Sequence, residues 1–179
     1  MSNSAVLAQP VSERDHSQGP SAAPLTLVEY GDYQCPYCGA ADPVVKRLQK
    51  TLGKNLRFVF RNFPLTQAHP YARIAAEAAE AVGLLGKFWP MHDTIYENQE
   101  NLSPDALAAW ALELGLDDEK LEKAIQQPEI AKRIKEDRQS GIRSGVNGTP
   151  TFYINGVRYD GSPDYDSLLA ALDSELAIR

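Results

Sequence analysis

The chain has 179 residues, 43% hydrophobic and 23% charged, with a formal net charge of −6. That size and balance fit one soluble domain with a true core, or a small domain carrying an insertion. A mildly acidic chain without a basic stretch has no footprint for nucleic acid, and no apolar run approaches the roughly 18 residues of a membrane span.

Residues 1–23 are rich in Ser, Pro, Gln and charge, and read as a flexible N-terminal arm. Its start is neither basic nor apolar enough for a secretory leader. The chain as given is therefore expected to be cytoplasmic, or periplasmic or exported if an N-terminal segment was removed. Leu25 to Tyr30 has the β-branched and apolar character of a buried strand. Next comes Cys35-Pro36-Tyr37-Cys38, which holds both cysteines of the chain. Ala41, Val44, Val45, Leu48 and Leu52 then recur at helical spacing up to Gly53, and Leu56 to Phe60 reads as a second strand closed by Pro64. A helix between the two strands predicts that they run parallel.

From Pro64 to Asn147 the pattern is helical throughout. It includes an alanine-rich stretch from Ala72 to Val82, then a face of Phe88, Met91, His92, Ile95 and Tyr96. Ser103-Pro104 marks a helix start, with Ser as N-cap and Pro at the first helical position. Two more helices are expected around Glu119 to Gln126 and Glu129 to Ser140. Thr151 to Ile154 and Val157 to Tyr159 flank Asn155-Gly156, a strong hairpin signal. A last amphipathic helix opens at Ser162-Pro163 and should pack on the sheet through Leu168, Leu169, Leu172 and Leu176. Strands at both ends with helices between them imply one α/β mixed sheet interrupted by an inserted all-helical subdomain.

Chemistry concentrates at the cysteine pair. On a helix, two cysteines at this spacing lie about one turn apart and can close a short disulfide ring. A strand-to-helix junction places Cys35 beside unpaired N–H groups that favour the thiolate, the attacking form. Cys35, at the exposed helix start, is expected to be the nucleophile, and Cys38, one turn in and more buried, the resolving thiol. Pro36 suits the first turn because it has no N–H to orphan. Half of a zinc site is the competing reading, but it needs two further Cys or His ligands, and His16, His69 and His92 lack ligand-pair spacing. Two inert core cysteines are another. No metal is expected, and the only redox group is the Cys35–Cys38 disulfide itself.

Gly148-Thr149-Pro150-Thr151 precedes the hairpin. The order of elements alone leaves Pro150 cis or trans. Glu29, in the run Leu27-Val28-Glu29-Tyr30, is expected to be buried. Its pKa should then be raised, and it could take the Cys38 proton. Asp32 is expected to be more exposed and to oppose the Cys35 thiolate. His92 reads as a core-edge histidine, Phe88, Trp89 and Tyr96 as core of the insertion, and Arg61 as a structural ion-pair partner.

Glu29 to Cys38, Phe60-Arg61-Asn62-Phe63-Pro64 and Gly145 to Phe152 together resemble the DsbA-like branch of the thioredoxin superfamily, from Leu25 onward. The resemblance implies a thioredoxin-like domain of residues 24–63 and 148–179, interrupted by a helical insertion at 64–147. It also implies a thiol–disulfide oxidoreductase acting on protein thiols and disulfides, in which Pro150 is a cis-proline, Thr149 presents backbone to a substrate strand, and Glu29 is the buried acid beneath the pair. A redox partner protein or glutathione would complete the cycle, and the protein is expected to be a monomer. The Pro36-Tyr37 dipeptide departs from the Pro-His of the family's strong oxidant and is similar to glutaredoxins. It predicts a potential between the extremes of about −270 and −120 mV. A glutathione-linked reductase and a peptide-binding chaperone or interaction module are the alternative readings.

Overall fold

The computed structural model describes residues 5–178. Five strands form one sheet in the order β1-β3-β2-β4-β5: β1 His16–Gln18, β2 Leu25–Gly31, β3 Leu56–Asn62, β4 Thr151–Ile154 and β5 Val157–Tyr159. The pair β2 and β3 is parallel, with Glu29 opposite Phe60 and Tyr30 opposite Arg61, and the other pairs are antiparallel. Helix α1 (Pro36–Leu52) makes the crossover. At the hairpin, Asn155 (φ 49°) and Gly156 (φ 84°) both adopt the left-handed conformation that a tight two-residue turn demands.

The first 23 residues are not a loose arm where they are described. Residues 16–18 form β1 against β3, and Val6 bridges Val157 at the far edge of the sheet. Charge and ring packing hold this segment down. Arg61 makes a two-pronged ion pair with Asp15 (2.9 and 3.0 Å) and donates to the Tyr30 hydroxyl and the carbonyls of Gln9 and Pro10. The His16 ring stacks on Phe88 at 3.5 Å, and its Nε2 lies 2.9 Å from Glu80 Oε2. Arg61 is thus the structural partner its sequence position suggests.

The helices between β3 and β4 are α2 Ala72–Gly83, α3 Phe88–Glu97, α4 Pro104–Glu113, α5 Asp118–Ile125 and α6 Pro128–Arg143, with a 3₁₀ turn at Gln99–Asn101. Ser103 caps α4 through the Ala106 N–H, and Pro128 opens α6. The last helix, α7 (Tyr165–Ala177), begins later than Ser162-Pro163 suggests. The Asp164 carboxylate accepts from the Ser167 N–H and takes the cap, while the Ser162 carbonyl is used by the Tyr159 hydroxyl.

Alternation along β2 and β3 sends side chains to two faces. Leu25, Leu27, Phe58 and Phe60 join Cys38, Ala41, Val45 and Leu48 of α1 in the main core, which continues into Ala75, Ala79, Met91 and Ile95 of the inserted helices. Val28, Tyr30, Val59, Phe63, Val146 and Tyr153 form a smaller cluster on the opposite face. Burial of an aliphatic or aromatic side chain contributes roughly 1.5–3 kcal/mol, so this shared core ties the insertion to the sheet.

Candidate active site

β2 ends at Gly31, and a turn carries the chain into α1 with Cys35 as its N-cap residue. The Cys35 N–H bonds the Asp32 carbonyl, and the Gln34 N–H bonds Asp32 Oδ1 at 2.8 Å, an Asx turn that sets the angle of entry. Pro36 occupies the first helical position, where a missing N–H costs nothing. The Tyr37 side chain is 75% exposed.

Two expectations need correction here. Cys35 is only 3% exposed rather than open at the helix start, because the Thr149 carbonyl lies 3.4 Å from its sulfur and Gln99 packs against its backbone. Asp32 is buried, not exposed. Its Oδ2 accepts from the Leu65 N–H and His69 Nδ1, each at 2.8 Å, so the carboxylate holds the loop after β3 instead of facing solvent. Gln34 extends that grip by accepting from the Tyr71 N–H at 2.6 Å.

The two thiols, both free, are driven apart in acidity. A hydrogen bond from Cys38 brings the Cys35 pKa down to about 5, helped by Thr149 and by the N–H groups of Cys38 and Tyr37, against the opposing effect of burial. The Thr149 hydroxyl is buried and, among the described residues, has no hydrogen-bond partner. Cys38 moves the other way: burial pushes its thiol well above the usual range, the bond to Cys35 adds to this, and the Glu29 charge adds more. The Thr149–Pro150 peptide is cis.

Glu29 is buried on β2 between Phe60 and Phe152, and its Oε1 has no hydrogen-bond partner among the described residues. Desolvation first, then the charges of Asp42 and Cys35, lift its pKa to about 8. An acid in this state exchanges a proton near neutral pH.

His92 is a core histidine rather than a core-edge one, 2% exposed, with its pKa lowered by burial. It accepts or donates at 3.0 Å with the Tyr33 hydroxyl and packs edge-on to Phe60. The aromatic set therefore joins the insertion to β3 and to the turn before α1, instead of forming a core private to the insertion. Asp42, His92 and Asp93 also converge, but the Lys46 ammonium sits 3.1 Å from Asp42 and 3.4 Å from Asp93 and already supplies the positive charge there.

Gln34, Gln99 and His69, the last weighed from the sequence only as a zinc ligand, also shape the site. The Gln99 amide donates to the carbonyls of Tyr33 (2.8 Å) and Cys35 (2.9 Å). Asp32 two residues before Gln34 is a legible Asx-turn signal, whereas nothing local marks His69 or Gln99.

Three comparisons bear on this arrangement. A family model described as thioredoxin matches residues 11–174. Among solved structures, BdbD of Bacillus subtilis in its oxidised form superimposes with a TM-score of 0.84 at 27% identity, over 98% of this chain and all of that one. A thioredoxin-like oxidoreductase from Silicibacter pomeroyi superimposes with a TM-score of 0.80 at 28% identity, over 93% of this chain and 94% of that one. In sequence, the chain is 47% identical over 165 residues to the Na(+)/H(+) antiporter NhaA 1 of Salinispora arenicola, covering 92% of this chain and 25% of that protein. The chain thus spans about a quarter of the length of such relatives.

Proposed function

The chain belongs to the thioredoxin family, and from that premise we propose that it is a thiol–disulfide oxidoreductase acting on proteins through a mixed disulfide at Cys35. The observation that carries this reading is the split between an acidic Cys35 and a proton-holding Cys38 beside the Thr149–Pro150 loop. In the reducing direction, the Cys35 thiolate attacks a client disulfide. One client sulfur leaves and takes up a proton, and Cys35 is left in a mixed disulfide. Glu29, in the ionised form that its pKa of about 8 leaves as the minor one near neutral pH, then takes the proton of Cys38, which attacks the Cys35 sulfur. The second client sulfur is released, so the client gains two electrons and the Cys35–Cys38 disulfide forms. A client dithiol drives the same steps backwards. No other redox group is required.

The Thr149 backbone, whose carbonyl lies 3.4 Å from the Cys35 sulfur, is the proposed docking edge for a client segment by strand addition. A Cys35 pKa of about 5 lies between those of thioredoxin and DsbA, about 7 and 3.5, which supports an intermediate potential. The relatives named as antiporters are about four times as long, and among the described residues no helix is long and apolar enough to cross a membrane. We therefore assign redox exchange, not ion transport, to the matched quarter.

The test is equilibration of the purified chain with defined glutathione buffers, together with single-cysteine variants. The expected outcome is a potential between about −120 and −270 mV, accumulation of client mixed disulfides with Cys38→Ser, and no exchange with Cys35→Ser. Exchange that survives Cys35→Ser overturns the reading. Glutathione-supported turnover by Cys38→Ser would instead identify a monothiol, glutathione-linked reductase.

A further inference from the structure

Two backbone carbonyls of the turn that presents Cys35 are bound by the side chain of Gln99, 64 residues from Cys35 in the 3₁₀ turn between α3 and α4. Its Nε2 donates both to the Tyr33 carbonyl and to the Cys35 carbonyl. The Cys35 carbonyl is also the acceptor of the first helical bond of α1, from the Gly39 N–H at 3.1 Å. Gln99 therefore ties down the peptide that starts the helix, on the element whose N–H groups stabilise the thiolate. It also offsets the negative ends of two carbonyl dipoles flanking Cys35.

A second observation points to the same contact. Gly39 has an ordinary helical backbone, so the turn itself does not require glycine, and Ala would favour the helix more. A Cβ at residue 39, however, would overlap the Gln99 side-chain amide, with Oε1, Cδ and Nε2 its three nearest atoms. The absent side chain leaves the space in which that amide sits.

We infer that Gln99, with Gly39 as its socket, is a positioning residue for Cys35, through which the helical insertion sets the acidity of the redox thiol. The inference rests on the proposed role of Cys35 as nucleophile, but its test needs no client. The readout is thiolate absorbance at 240 nm against pH in the reduced protein, with Cys38→Ser as the background in a parallel set so that the signal belongs to Cys35. Gln99→Met keeps length and bulk and removes both donors. Gly39→Ala leaves Gln99 intact and pushes its amide, the far end of a flexible side chain, off the two carbonyls.

Both variants should raise the Cys35 pKa by about one pH unit, a tenfold smaller thiolate fraction below the pKa. Both should move the glutathione equilibrium constant about tenfold toward the disulfide, which is about 30 mV toward more negative potential. A merely structural Gln99 would lower unfolding stability in Gln99→Met without moving the titration, and Gly39→Ala would then leave the thiol unchanged. Should Gln99→Met fail to fold, Gly39→Ala decides alone. An unshifted Cys35 titration in folded Gly39→Ala, with its Gln99 contacts shown displaced by the loss of cross-peaks between the two residues, overturns the inference. A wild-type thiol that titrates low but exchanges no disulfides would overturn the proposed function instead, and leave this result standing.

Discussion

The two faces of the β2–β3 pair bury polar groups under opposite terms. On one face Arg61 meets Asp15, the Tyr30 hydroxyl and two carbonyls. On the other, Glu29, paired in register with Phe60 just one step before Tyr30 and Arg61, has an oxygen with no partner among the described residues and a pKa raised to about 8. A saturated buried charge fixes geometry, whereas an orphaned one stores proton affinity. The same sheet therefore carries a structural side and a chemical side, distinguished by hydrogen-bond satisfaction rather than by burial.

The strongest test of that division is Arg61→Met. It leaves Asp15 buried without its cation and should cost about 3–5 kcal/mol in urea unfolding, while exchange per folded molecule stays near wild type. A Cys35 reactivity that falls in step with stability would erase the distinction between the faces.

Glu29→Gln should behave in the reverse sense. Because the folded-state pKa of Glu29 lies above its ordinary value, its contribution to stability is fully present below about pH 4.5 and is lost as pH rises through about 8. In the disulfide form, where no Cys35 thiolate contributes, the variant should match wild type at pH 4 and exceed it by up to about 4 kcal/mol at pH 9, at roughly 1.36 kcal/mol per pH unit. Resolution of a mixed disulfide by Cys38 should slow about a hundredfold, the lower end of general-base contributions. Parallel stability curves for the two proteins across this range would show that Glu29 is not held protonated.

The smallest effect belongs to Tyr37→Ala. The side chain is exposed and only its backbone N–H favours the thiolate, so stability should change by less than about 0.5 kcal/mol. The Cys35 titration should stay in place. A shift of a full pH unit would bring the side chain itself into the site.

Most of what positions the chemistry is readable along the chain. The strand-to-helix placement of Cys35, the cap at Ser103, the Asn155-Gly156 turn and the burial of Glu29 each follow from residues adjacent in sequence. What escaped depends on distant partners. His16-Ser17-Gln18 has neither alternation nor β-branched residues, and it is a strand because the edge of β3 and the Arg61–Asp15 pair make it one. Asp32 looks like a turn carboxylate, and only the Leu65 N–H and His69 explain its burial. Gln99 is an ordinary polar residue until the fold lays it across the Cys35 carbonyl.

The N-terminal segment also works as a strap across the sheet. Residues 5–7 dress the outer margin of β5, through the Leu7 N–H to Gly156 and the Arg158 N–H to Ala5, while residues 16–18 dress β3 at the opposite margin. Trimming the chain to begin at β2, as composition alone would invite, uncovers both margins at once and strips Arg61 of its carboxylate. Two bare strand edges are templates for intermolecular pairing. The serine- and proline-rich stretch that looks dispensable is thus part of what keeps one molecule from adding its sheet to the next.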